Sequence, residues 1–319
     1  MIHLRLPWPE EKAKRTRSTT TSPLVIIVKS LATNFEQRHI LRDTWIKQAK
    51  QEQLVVYFMV AKIVNLKQQQ LKIENENQLY QDIIQASFID NYYNLTLKTL
   101  SILYWIKTRC NTKEINYLVI VDDDSWINIG RLKSNCLNKL YHGITGNLYR
   151  AEKPHREGKW AVSLNDYPQD LYPAFLAGGL GIFEMKYVHE IYEAATNNSN
   201  LPALFIDDVY ITGIIAEQLK IERHNIGWGI ISFKCDQHYS RLRLYQLLSI
   251  LQCNIKQLKQ IWNQTMTVDD YYRTQKFVGL PQSWNRAGRP AGHRPARAGA
   301  GPVRCKSLDR PVSTDLLPV

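Results

Sequence analysis

The segment Tyr117-Leu118-Val119-Ile120-Val121-Asp122-Asp123-Asp124 is an apolar run that stops abruptly in three carboxylates. The run is too short for a helix, and its composition predicts the central strand of an open sheet. Ligands of such sheets bind beyond the C-terminal ends of the strands, so an acidic strand tip is a site signature. Three adjacent carboxylates repel one another, and a bound cation offsets that repulsion most naturally. Oxygen ligands suit Mn2+ or Mg2+. If the pleat continues, Asp122 and Asp124 point one way and Asp123 the other, so alternate positions would serve one site. The plainer reading is an acidic loop after a strand. Burial of the preceding run weighs against it, because charge beside a core must be satisfied.

Outward from this segment, Leu24-Val25-Ile26-Ile27-Val28 reads as another buried strand, and residues 54–60 as a third. Thr33 and Glu36 have capping-box spacing, and a helix is predicted from there to about residue 50. Arg38 and Arg42 lie one turn apart on its face. Residues 62–78 are polar and Gln-rich and read as a solvated loop leading into a helix. Residues 80–88 read as a short strand or extended connection. Helical periodicity covers 93–108 and 128–141, and 143–150 and 158–164 look extended. Residues 204–219 begin acidic and continue as an amphipathic helix. Alternating strand and helix through the first 140 residues places the chain in the α/β class.

The chain has 319 residues and a formal net charge of +12, of which residues 1–22 carry +3 and residues 285–319 carry +5. With most of the charge outside the middle, a basic stripe for nucleic acid is not expected. The reading is a flexible basic lead-in over 1–22, one catalytic domain over 23–284, and a disordered Arg/Pro/Gly/Ala-rich tail over 285–319. The five cysteines match no zinc spacing, and one or two disulfides fit a luminal chain without the sequence fixing their pairing. No run of 18 apolar residues is present. Sequons occur at Asn94, Asn197 and Asn263.

Further site candidates follow from chemistry. The guanidinium forks of Arg38 and Arg42 suit phosphate oxygens, or else they brace the fold. Asp207-Asp208 stand at a predicted helix start, where they would cap the helix. Alternatively, a carboxylate with a modestly raised pKa there would serve as a general base. Gly178-Gly179 and Gly181 are not a dinucleotide fingerprint, and the P-loop, zinc-protease and serine-hydrolase motifs are absent. His224 and His238 are late metal-ligand candidates; ordinary surface or core histidines are the plainer reading.

Together these segments resemble the β1,3-glycosyltransferase family, glycosyltransferase family 31, which holds β1,3-galactosyltransferases, β1,3-N-acetylglucosaminyltransferases and, more distantly, the Fringe proteins. The likeness rests on six blocks in order between about Pro23 and Gly227. Phe35-Glu36-Gln37-Arg38 through Leu41-Arg42-Asp43-Thr44-Trp45 resembles F-E-x-R-x-x-I-R-x-T-W. Tyr80-Gln81-Asp82-Ile83 and Phe88-Ile89-Asp90-Asn91-Tyr92-Tyr93-Asn94-Leu95-Thr96-Leu97-Lys98-Thr99 form the most specific block. The acidic strand tip, Lys159-Trp160-Ala161-Val162, Tyr172-Pro173-Ala174-Phe175 with Gly178-Gly179, and Asp207-Asp208-Val209-Tyr210 complete the set.

The resemblance implies a GT-A-like nucleotide-diphospho-sugar transferase fold: α/β, with a mostly parallel central sheet flanked by helices. It implies an inverting hexosyltransferase that moves galactose or N-acetylhexosamine from a UDP-sugar to a glycoprotein or glycolipid glycan in β1,3 linkage. Mn2+, or Mg2+, would be held by Asp124, with Asp122 as a further ligand. Asp122 and Asp123 would contact the donor, Gly178 and Gly179 would let the chain pass close to donor or acceptor, and Asp208 matches the catalytic base. Golgi membrane residence with a luminal catalytic domain is also implied, through an anchor missing from this sequence. Ile120 stands where the family often has Lys, Asp207 replaces the usual Glu, and Gly213 falls one position late. A catalytically inactive relative that binds glycans is the alternative expectation.

Overall fold

The computed structural model describes residues 24–63, 67–112, 114–197, 204–227, 229–235 and 239–274. The expected lead-in, tail and His238 lie outside the described residues. In chain order the first half forms β1 (Leu24–Lys29), α1 (Phe35–Asp43), α2 (Trp45–Gln51), β2 (Val55–Lys62), α3 (Lys67–Tyr80), β3 (Ile83–Ile89), α4 (Leu95–Arg109), β4 (Tyr117–Asp122), β5 (Trp126–Ile127) and α5 (Ile129–Leu137). Then follow β6 (Ile144–Tyr149), β7 (Phe175–Glu184), α6 (Met185–Asn197) and a π-helix (Asp208–Ile215) running into α7 (Ala216–Gln218). The chain continues with β8 (Arg223–Asn225), β9 (Ile231–Ser232), α8 (Arg241–Gln246), β10 (Ser249–Ile250) and α9 (Ile255–Thr274).

Seven strands form the main sheet in the order β3-β2-β1-β4-β7-β6-β8. β4 is its middle strand, as the acidic-tipped run predicts. Six strands point one way; β7 alone runs against them, antiparallel to both β4 and β6. The expected α/β architecture with a mostly parallel sheet is therefore present. Both faces are covered, which explains why the strands are apolar throughout rather than alternating. Tyr117, Val119 and Val121 of β4 enter one core, and Leu118 and Ile120 enter the other. β1 splits likewise, with Leu24, Ile26 and Val28 on one side and Val25 and Ile27 on the other. A small sheet, β5-β10-β9, joins the first core.

Several local expectations change. The helix expected to reach residue 50 breaks at Thr44 into α1 and α2, and Asn34 precedes it without a side-chain cap. The Thr44 hydroxyl donates to the Ile40 carbonyl instead, at 2.8 Å. Most of the Gln-rich run is the helix α3, of which only Ile73 is buried. Residues 158–164 are turn and coil, not strand. The glycine-rich stretch is β7. The helix after Asp207 is a π-helix buried from Val209 to Ile215, rather than an amphipathic one.

Candidate active site

The β1 and β4 tips lie side by side, with Lys29 paired to Asp122 in the ladder. The Lys29 ammonium stands 3.2 Å from Asp122 Oδ1 and 2.8 Å from Asp207 Oδ2. One lysine therefore bridges two acidic clusters 85 residues apart in sequence. Burial alone would lower the Lys29 pKa, but Asp122 and Asp207 carry it well above the ordinary lysine value. For Asp207, burial works toward a higher pKa and is overcome by Lys29 and by the Thr99 hydroxyl, which donates at 2.5 Å; the net shift is downward. Asp207 is thus a fixed anion, not a helix cap.

Asp208 behaves oppositely. Burial and the neighbouring Asp207 charge push its pKa up to about 6. Its Oδ2 accepts from the Gly178 N–H at 2.9 Å and its Oδ1 from the Val209 N–H at 2.8 Å. Each oxygen keeps a further lone pair. Two adjacent carboxylates with pKa values driven apart is the pattern that separates a structural anion from a proton acceptor. A cavity lined by Lys29, Thr99, Gly178, Gly179, Asp207 and Asp208 opens here, so the glycines and the base candidate share one surface. Gly178 reaches Asp208 through its backbone. Gly179, in the same lining, has φ +99°, and a Cβ there would stand 2.7 Å from Leu251 Cδ1.

The three tip carboxylates do not alternate, because the strand ends at Asp122 and the next two residues form a turn. Asp122, expected as a metal ligand, is ion-paired to Lys29. Asp123 accepts from Ser30 Oγ at 2.7 Å and Asn34 Nδ2 at 3.0 Å, and burial still raises its pKa. Asp124 has its pKa pushed up to about 6 by burial, then by Asp122 and Asp123. The nearby Gln252 backbone N–H and a long contact from the Ser125 hydroxyl, at 3.5 Å, work in the opposite direction. Among the described residues no group of three or more His, Cys, Asp or Glu is placed to hold a metal. A three-carboxylate cage is therefore not formed. Asp124, a carboxylate crowded by like charges, is of the donor type that a hard cation takes, and further ligands would have to come from outside the described carboxylates. His224 pairs with Glu222 at 3.0 Å on the surface.

Arg38 and Arg42, the phosphate-binding candidates, face the body of the protein. Arg38 is 0% exposed and makes a two-point contact with Glu76, with further bonds to the Leu31 and Ala32 carbonyls. Arg42 makes a two-point contact with Asp82 and also binds Glu76. Their donors are committed to protein acceptors, so the geometry gives them the bracing role and corrects the donor-binding one.

Lys29, Ser30, Asn34 and Thr99 are site residues that sequence reasoning missed. Lys29 ends an apolar run as the acidic triplet does, and that shared position was the available signal.

An open α/β sheet whose strand tips carry fixed and titratable carboxylates around a glycine-lined cavity defines a protein that works on a polar ligand at the sheet edge. The sequence pattern of the galactosyltransferase family matches residues 36–227, and the chain belongs to that family. It is 31% identical over 204 residues to β-1,3-galactosyltransferase 5 of Pan paniscus, covering 62% of this chain and 65% of that one. β-1,3-galactosyltransferase 2 of Homo sapiens is 28% identical, covering 75% and 58%, and β-1,3-galactosyltransferase 1 of Mus musculus 28%, covering 75% and 73%. The chain spans less than two thirds of the length of the type 5 relatives. Among solved structures, the apo bifunctional glycosyltransferase WbbM aligns with a TM-score of 0.41 at 12% identity, covering 82% of this chain and 53% of that one.

Proposed function

We propose that the chain is an inverting hexosyltransferase that moves galactose, or N-acetylhexosamine, from a UDP-sugar to a glycan in β1,3 linkage. The observation that carries this reading is Asp208: a carboxylate raised to about 6 and held by two backbone N–H groups, beside a cavity at the sheet edge. A base with that pKa is ionised at neutral pH and remains basic enough to accept a proton. Asp208 takes the proton from the acceptor 3-hydroxyl as that oxygen attacks the anomeric carbon opposite the departing diphosphate, which inverts the centre. Lys29 holds Asp207 ionised, and Asp207 in turn keeps the Asp208 pKa high.

Asp124 would hold Mn2+ or Mg2+. When bound, the ion neutralises charge developing on the diphosphate. We also place the protein in the Golgi lumen, at the membrane. The Cys235–Cys253 disulfide supports an oxidising compartment. No helix among the described residues is long and apolar enough to cross a membrane.

The test is transfer from UDP-galactose, UDP-N-acetylglucosamine and UDP-N-acetylgalactosamine to simple β-glycosides with Mn2+. Asp208→Asn is expected to lower kcat by about 10²–10⁴-fold, and Asp124→Ala to remove metal-dependent transfer. Full transfer by Asp208→Asn would end the base assignment. Absence of UDP release with every donor and acceptor would end the transferase reading.

A further inference from the structure

We propose that Trp160, Tyr92 and Tyr93 form a stacking platform for a pyranose ring of the acceptor glycan beside Asp208, an inference that rests on the transferase reading of that site. Trp160 is 49% exposed and Tyr93 70% exposed, whereas Trp45 and Trp105 lie in the core. Large rings left at a surface in one cluster mark a binding site more often than chance. This cluster also sits at the chemistry. Tyr92 lies in the field of Asp208, Asp207 and Asp122, and the Lys159 ammonium lies over both the Tyr92 and the Trp160 rings. Tyr92 and Tyr93 both pack on Phe205, at 6.1 and 5.2 Å between ring centres. Phe205 lies two residues before Asp207, so the platform and the acidic pair are carried by one segment.

The chemistry selects a sugar over other ligands. A pyranose has an apolar C–H face that packs on an aromatic ring and an edge of hydroxyls that needs polar partners. Polar partners surround these rings: the Lys159 ammonium is 4.7 Å from the Tyr92 ring centre and 5.7 Å from that of Trp160. Tyr172 is 6% exposed, lies in the field of Asp208, and its hydroxyl has no hydrogen-bond partner among the described residues. The rings are already fixed by edge-on contacts and the lysine, so binding loses little side-chain entropy.

Two measurements test the platform. The first is saturation-transfer NMR with methyl β-galactoside and methyl β-N-acetylglucosaminide as probes, which needs no turnover. Wild type is expected to label the C–H face of at least one probe, Trp160→Ala to lose the signal, and Trp160→Phe to retain it. The second is transfer kinetics, where Trp160→Ala is expected to raise the acceptor KM about tenfold, the equivalent of one lost stacking contact. The UDP-sugar KM should move less than twofold, and Trp160→Phe should restore most of the acceptor affinity while Trp160→Leu should not. An unchanged probe signal in Trp160→Ala, no signal in wild type, or an equal rise in both KM values overturns the platform. A Trp160-dependent signal from a protein that transfers from no donor keeps the platform and discards the transferase.

Discussion

Lys29 shows how much one side chain decides. It lies between Asp122 and Asp207, and without it Asp207 would be a buried anion left to the Thr99 hydroxyl with no cation in contact among the described residues. Lys29→Met should therefore destabilise the fold by about 3–5 kcal/mol, the usual result of breaking a buried pair from one side, read from denaturant midpoints at constant slope. Asp208 titrates in the opposite sense to Asp207. As the proposed base it must be ionised, so kcat/KM should fall about tenfold per pH unit below its value of about 6. Stability has its own sign. A carboxyl whose folded pKa is raised binds protons more tightly in the folded state, so its contribution is full below about pH 4 and lost as pH rises through about 6. Asp208→Asn has no such group. The melting temperature of the variant should gain on wild type between pH 4 and 6, whatever constant offset the substitution adds. A gap independent of pH would mean that Asp208 is not perturbed.

At the scale of elements, the most specific sequence block turns out to be wiring. Asp82 binds Arg42, Asp90 binds Lys98 at 2.6 Å and caps the Ala32 N–H, and Thr99 binds Asp207. α3, almost wholly solvated, is fastened to α1 by Glu76 between the two arginines. This contact was not legible: residues 62–78 have no apolar period, and the carboxylate that ties the helix to α1 has its partners 34 and 38 residues away. β1, β2, β4 and α4 were legible because burial on one or both faces writes itself into local composition. The π-helix was not, because an extra residue per turn leaves no clear period when every side chain from Val209 to Ile215 is buried. Asp208 could be named from its motif, but its raised pKa comes first from burial, with the Asp207 charge beside it, and only the folded sheet supplies that burial. β7 supplies a test at this scale. Gly179 has φ +99° and no room for a Cβ against Leu251, so Gly179→Ala should lower stability by about 1–3 kcal/mol, with thermal unfolding as the measure. An unchanged midpoint would show that Leu251 moves aside freely.

Across the whole molecule, the acidic turn is held from both directions. On one side α1 and the segment before it grip Asp123, through Asn34 Nδ2 and through Gln37 Nε2 on its carbonyl, and Trp45 donates to the Ser125 carbonyl. On the other, the Cys253 N–H donates to the Asp124 carbonyl at 2.8 Å, directly after the residue whose backbone reaches the Asp124 carboxylate. The Cys235–Cys253 disulfide pins that second support across a separation of 18 residues. Replacing both cysteines by serine frees a loop whose closure is worth about 3 kcal/mol in the unfolded-chain account. The same change should loosen the Asp124 turn while leaving Asp208 on its own helix. With Asp124 as the proposed metal ligand, two readouts are expected to separate: the Mn2+ concentration for half-maximal transfer should rise several-fold, and the acceptor KM should stay near its wild-type value. An unchanged Mn2+ requirement in a folded double variant would mean that α1 alone positions the turn. A parallel loss of acceptor affinity would mean that the two halves of the sheet edge move as one body.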